Sequence, residues 1–228
     1  MKRTISILML AALLLPGCSS MSKLAEGSLV GTGAGAALGA GVGALIGKDA
    51  KAAAIGAAIG GAVGAGTGAI IGKKMDQKAE ELAALQNAQI ATITDINGLE
   101  AIKVTFDSGI LFPTNGTKLN DESKATLKQF ADKMADLTDT DITILGHTDN
   151  TGTAEVNQRI STQRAEAVST YLSKCGIDKA RISAEGKSFD MPVADNSTVE
   201  GRAQNRRVEV YVSANEAMIK AAQEGTLK

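Results

Sequence analysis

Glycine recurs at every fourth position along two stretches of this chain: Gly27, Gly31, Gly35, Gly39, Gly43 and Gly47, then Gly56, Gly60, Gly64, Gly68 and Gly72. An irregular loop has no use for such a period. On a helix it draws a seam without side chains down one side, along which a second backbone can approach closely. Each stretch is about 20 residues, roughly 30 Å as helix, which matches the hydrocarbon core of a bilayer. Lys48, Asp49 and Lys51 separate the two as a charged turn. Residues 28–72 are therefore expected to form a glycine-zipper helical hairpin. In water such helices are weak, because each Gly costs about 1 kcal/mol relative to Ala. In lipid an unpaired backbone is worse still. Membrane insertion, with a homo-oligomer packed through the seams, is one outcome; a zipper or a flexible linker in water is the other.

The rest of the chain is of a different kind. All six aromatic residues (Phe106, Phe112, Phe130, Tyr171, Phe189 and Tyr211) lie between 106 and 211. Only that segment has the large side chains needed to fill a compact core. The boundary is expected near residue 90, with residues 73–90 as a helical linker that carries Met75, Leu82 and Leu85 on one side. The folded domain then covers 91–213, and 214–228 are a C-terminal tail.

At the N-terminus, Lys2 and Arg3 precede an apolar run too short to span a bilayer, the pattern of a secretion signal over residues 1–17. It ends in "LPGC", which resembles the lipobox of bacterial lipoproteins, in which the cysteine is lipidated. That resemblance makes Cys18 the acylated N-terminus, residues 18–27 a tether, and Ser19 a residue that directs the protein to the outer membrane. Removing residues 1–17 takes the 24 basic residues to 22 against 25 acidic, and the net charge from −1 to −3. Such a balance argues against nucleic acid, which wants a basic footprint. With Cys18 acylated, Cys175 is the one remaining thiol. Two cysteines and a single histidine build no standard zinc site, so no metal or cofactor is expected.

From Ile90 the pattern becomes that of alternating strands and helices. "IATITDI" and "LEAIKVTF" alternate about the turn Asn97–Gly98, a hairpin signal. Residues 120–137 read as an amphipathic helix capped by Asn120, with Leu127, Phe130, Met134 and Leu137 on one face. "DITILG" (141–146) is a strand, 154–174 a second helix, and "RISAEG" (181–186) and "RRVEVYV" (206–212) are further strands. The expected fold class is α/β, an α+β sandwich with a mixed sheet and helices on one face.

The stretch "GHTDNTG" (146–152) carries the only histidine, His147, with Thr148 and Asp149 at a strand end where ligand sites form. On the helix that follows, Val156, Ile160, Ala167, Val168 and Tyr171 form the expected buried arc, with Arg164 inside it and Asn157 at its edge. A guanidinium in an apolar face needs an anionic partner, since it does not deprotonate. Asp149 is the candidate, and a purely structural ion pair is the alternative. Catalysis fits poorly: the chain lacks a G-x-S-x-G elbow, and Asp149 is the one carboxylate of the stretch.

Three separated motifs, "GHTDNTG", "NQRISTQRAEAV" (157–168) and "NSTVEGRAQNRRVEV" (196–210), resemble the OmpA-like peptidoglycan-binding domain over about residues 95–213. With the lipobox and the glycine repeat, the whole chain is similar to the YiaD-type outer-membrane lipoproteins. The resemblance implies that Asp149 and Arg164 bind the diaminopimelate of the peptidoglycan stem peptide, with Asn157, Arg206 and Thr148 in support. "FPTNGTKL" (112–119) stands where the family has an "FD" loop; Pro113 replaces the aspartate, and Thr114 and Asn115 are left to line the pocket. The implied function is a lipid-anchored tether between outer membrane and cell wall, with its C-terminal domain in the periplasm. The rival is an envelope assembly or stress lipoprotein whose zipper oligomerises or perturbs membrane, with wall binding only for placement.

Overall fold

A computed structural model of the chain describes residues 65–95, 97–113 and 116–227. The signal segment, Cys18, the tether and the zipper hairpin up to residue 64 lie outside the described residues, as do Thr114 and Asn115. Helix α1 (Ala65–Leu82) leads into strand β1 (Ala88–Thr94) and strand β2 (Glu100–Asp107). A one-turn helix α2 (Ser108–Leu111), helix α3 (Asp121–Lys133), strand β3 (Thr140–Gly146) and helix α4 (Ala154–Lys174) follow. Strand β4 (Ile182–Gly186), helix α5 (Val199–Asn205), strand β5 (Arg207–Ala214) and helix α6 (Glu216–Gln223) complete the order. The five strands form one sheet in the order β1-β2-β5-β3-β4, with β3–β4 parallel and every other pair antiparallel. This is the mixed α/β architecture that the alternation of elements implied.

Local chemistry sets the elements where the sequence placed them. The β1–β2 hairpin closes around Asp95, whose carboxylate accepts the amides of Asn97 (2.8 Å) and Leu99 (2.9 Å), with Gly98 at φ 75°. Asn120 caps α3 by accepting the Ser123 amide, and Thr153 caps α4 by accepting that of Val156. The even-numbered residues of the central strands (Ile102, Val104, Phe106, Ile142, Ile144, Val208, Val210, Val212) face the helices and are fully buried. Leu127 and Phe130 of α3 and Val168 and Leu172 of α4 fill the core from the other side.

Residues 73–90 do not behave as a spacer. Helix α1 runs unbroken across the expected boundary at 72–73, and Ile71, Met75, Leu82 and Leu85 are at most 4 % exposed within the same core. Lys78, itself buried, donates to Asp136 (2.7 Å) and to the Lys133 carbonyl (2.9 Å), which ties α1 to the end of α3. The expected tail is likewise structured: α6 buries Met218, Ile219 and Ala222 against that core. The folded unit therefore begins before residue 72 and ends after 213. Among the described residues no helix is long and apolar enough to cross a membrane.

Candidate functional site

The candidate site forms where β3 ends and α4 begins. Gly146 is the last residue of β3, and a side chain there would run into the Ser161 carbonyl of α4. Glycine thus lets the helix backbone settle directly on the strand end. Gly152, at φ 91°, then turns the chain into α4. The buried face of α4 is made by Asn157, Ser161, Arg164, Ala165, Val168 and Leu172. This face is rotated from the expected arc: Val156 is 36 % exposed and Ile160 half-buried, while polar Asn157 and Ser161 point inward. The apolar periodicity misplaced it because the helix packs its polar side onto a strand end rather than onto apolar side chains.

A cleft of about 800 Å³ opens at this junction, lined by Ser108, Phe112, Pro113, Thr148, Asp149, Asn157, Ile160, Arg164 and Arg206, among others. Asp149, Arg164, Asn157, Arg206 and Thr148 are thus brought together around one space. Thr114 and Asn115 lie outside the described residues, but their loop takes part: the Gly116 carbonyl accepts from Arg164 Nε at 3.1 Å.

The partnership of the charges differs from the expected one. Asp149 pairs with Arg206, Oδ2 to Nη1 at 2.6 Å, and its Oδ1 accepts the Thr151 amide at 2.8 Å. Burial alone would raise the Asp149 pKa; the Arg206 hydrogen bond, the contacts from Thr151 and the charge of Arg206 outweigh it and hold the carboxyl below its ordinary value. Arg164 has no carboxylate partner among the described residues. The residue is 5 % exposed; its guanidinium lies 5.3 Å from the Phe112 ring centre and donates to Ser108 Oγ at 3.4 Å. Burial lowers its pKa and the neighbouring Arg206 lowers it further, against the pull of Asp149. A guanidinium stays charged under such pressure. The cleft lining therefore holds two arginines and one carboxylate, which pairs with Arg206, and keeps an excess positive charge.

Supporting groups complete the geometry. Asn157 Nδ2 donates to the Thr151 carbonyl at 2.9 Å, which pins the turn that carries Asp149. Thr148 lines the cleft, and its Oγ1 is buried without a hydrogen-bond partner among the described residues. Ser108 and Phe112, beneath Arg164, escaped sequence reasoning as site residues, although Phe112 opens the loop singled out there. His147 faces the opposite side of the sheet, with Nε2 3.2 Å from Glu209 Oε2. It offers no base to the cleft. Among the described residues no group of side chains is arranged to hold a metal ion.

A mixed sheet with helices on one face and a cationic cleft at the β3–α4 junction defines a binding domain rather than a reaction centre. Residues 111–206 match the OmpA family, and residues 1–76 match the YMGG-like Gly-zipper. The outer-membrane lipoprotein YfiB of Pseudomonas aeruginosa is 36 % identical over 60 % of this chain and 78 % of its own length. Outer membrane protein Omp38 of Acinetobacter baumannii is 36 % identical over 48 % of this chain, but the match spans only 31 % of that protein. Among solved structures, the cell wall anchor of the T6SS from Pseudomonas aeruginosa superposes with a TM-score of 0.52 at 29 % identity, covering 62 % of this chain and 97 % of that one. The chain belongs to the OmpA family.

Proposed function

We propose that this protein binds peptidoglycan non-covalently through the diaminopimelate residue of the stem peptide, and so tethers the outer membrane to the cell wall. The observation that carries the reading is Arg164, a buried residue that lines an open cleft and has no anionic partner among the described residues. A buried cation of this kind is costly unless a ligand supplies the missing charge. Diaminopimelate presents a carboxylate and an ammonium on one carbon. The planar guanidinium can take the carboxylate bidentately, and Asp149 can take the ammonium. Arg206 then neutralises Asp149 before binding and contributes its charge to the carboxylate side afterwards. Thr148 Oγ1 supplies one more polar contact and Asn157 holds the turn. The membership of the OmpA family and the likeness to a structure described as a cell wall anchor support this assignment.

The anchor in this account is the lipid on Cys18, with the glycine-zipper segment between lipid and domain. Several acyl chains, at about 0.8 kcal/mol per buried methylene, make such an anchor effectively permanent. Confinement beside a polymeric ligand raises retention by about 10²-fold or more even where each site is weak. The test is co-sedimentation of the full chain with purified peptidoglycan. Wild type should pellet with the wall, and Asp149→Ala should remain in the supernatant while its circular dichroism is unchanged. Equal pelleting of both proteins would remove Asp149, and with it the site, from the account.

A further inference from the structure

The two edges of the sheet are built differently. The outer strand β4 is five residues long, carries Glu185 on its exposed side and is flanked by Arg181 and Lys187. Its end is also covered, because Gln158 donates to the Gly186 carbonyl at 2.8 Å. Short, charged and capped edges are the usual protection against strand-to-strand association. The other edge, β1, is longer and carries no charge within its span; Asp95, which follows it, is turned into the hairpin. It reads "AQIATIT" over Ala88–Thr94, seven residues without a charge or a proline. Its register with β2 is unbroken from Ala88 to Thr94, so no bulge twists it away. No described strand lies beyond it.

The register decides which backbone groups are free. The Asp95 amide donates to the Leu99 carbonyl at 2.8 Å, so Asp95 and Leu99 form a hydrogen-bonded pair within the hairpin. Such pairs alternate along an antiparallel ladder. Ile93, Ala91 and Gln89 therefore turn their N–H and C=O toward β2. Thr94, Thr92, Ile90 and Ala88 turn theirs outward.

From this edge we infer that β1 is a two-fold interface between two copies of the chain. Place β1 of a second copy antiparallel to it with the axis at Ala91. Ala88 then lies opposite Thr94 of the second copy, and Ile90 opposite Thr92. All four outward residues on each strand are paired, forming about eight hydrogen bonds. With no charged residue in the strand, no like charges meet in this self-complementary arrangement. Ile90 and Ile93, half-buried on opposite faces of the sheet, gain apolar neighbours. The result is a continuous ten-stranded sheet with both sets of helices on the same face and the two candidate wall-binding clefts carried by one assembly. This inference concerns the edge alone and does not depend on the ligand assigned to the cleft.

The test is disulfide trapping of the full chain in a Cys175→Ser background, which removes the free thiol of the described residues. Across the axis, Ala91 faces Ala91 of the second copy in a non-hydrogen-bonded pair, with Cα atoms about 4.5 Å apart, within disulfide reach. Ala91→Cys should give, on mild oxidation, a species of twice the chain mass on a non-reducing gel. Thr94→Cys places its own copies about 20 Å apart at the strand rise and should stay monomeric. Adding Thr92→Pro to Ala91→Cys deletes an outward N–H that β2 does not use. It should reduce trapping at least ten-fold with the melting temperature unchanged. Thr92→Lys, which keeps the amide and adds charge to the edge, carries the same expectation should the proline lower stability. The inference is overturned by no dimer from Ala91→Cys beyond the background protein, by equal trapping at 91 and 94, by a product with a different protein, or by trapping that both Thr92 variants leave intact.

Discussion

Replacing Arg164 with methionine should separate binding from folding. Arg164 is 5 % exposed and forms no ion pair with a carboxylate among the described residues. An effective desolvation penalty of several kcal/mol stands against what the site returns. That return consists of a hydrogen bond to the Gly116 carbonyl at 3.1 Å, a long one to Ser108 at 3.4 Å, and the face of Phe112 at 5.3 Å. At about 1 kcal/mol for each contact, the return roughly offsets the penalty. Methionine keeps the stem's volume over Phe112 without the charge, so Arg164→Met should be about 0–2 kcal/mol more stable than wild type. In thermal denaturation this is a rise of up to roughly 8 °C. Binding should move the other way. Loss of a bidentate, charge-assisted pair costs about 3–5 kcal/mol, a weakening of roughly 10²- to 4 × 10³-fold. Urea denaturation gives the first quantity, and calorimetric titration with a soluble stem-peptide fragment gives the second. A variant that loses more than about 2 kcal/mol of stability yet binds like wild type would make Arg164 a structural residue and not a receptor for the ligand.

Three further outcomes follow from the geometry. A chain shortened to residues 91–228 loses the packing of Ile71, Met75, Leu82 and Leu85, about 6–12 kcal/mol at the upper bound, and should lack a cooperative melting transition, whereas 65–228 should melt like the full chain. Gly146→Ala forces a side chain into the Ser161 carbonyl and should destabilise by about 1–3 kcal/mol in urea titration while also weakening wall binding, because it shifts α4 and Arg164 together. Glu209 is buried and accepts from Lys103 (2.7 Å), Arg207 (2.9 Å) and Tyr211 (2.6 Å); burial would raise its carboxyl, but the His147 contact and the cations hold it well below the ordinary 4.5. A depressed folded-state pKa gives stability that is present above 4.5 and lost as pH falls below it, so Glu209→Gln should destabilise at pH 7 and flatten the acid limb of the stability curve.

Much of the domain was legible because its signals are local. The hairpin about Asn97–Gly98, the cap at Asn120, and the span of α4 rest on neighbours a few residues apart. The residues of the cleft were legible through motifs, and five of them meet in one space. What escaped depends on tertiary neighbours. The short apolar period of α1 is the same for a helix in water and for one docked on a sheet; only β2, α3 and α6 decide between them. Asp149 met Arg206 rather than Arg164 because the junction of α5 and β5 places Arg206 at the cleft, an arrangement set by tertiary structure and not by spacing along the chain. "RRVEVYV" was legible as a strand, but not that Arg207, Glu209 and Tyr211 are buried there as a hydrogen-bonded network. Period two assigns residues to faces and says nothing of what covers each face.

The most direct measurement of the central claim is a pair of titrations of the full chain, followed by the amide resonances of the cleft. One uses a soluble stem peptide carrying meso-diaminopimelate and the other the same peptide carrying lysine in its place, so that only the diaminopimelate side chain bears a free carboxylate. The two ligands share a side-chain ammonium and differ in the carboxylate beside it, the group assigned to Arg164. The diaminopimelate peptide should shift the amides of Thr148, Asp149, Thr151 and Arg164 in a saturable way, and the lysine peptide should leave them in place at the same concentrations. Equal shifts from both ligands, or shifts confined to residues outside the cleft, would contradict the assignment of this site to the diaminopimelate of the wall.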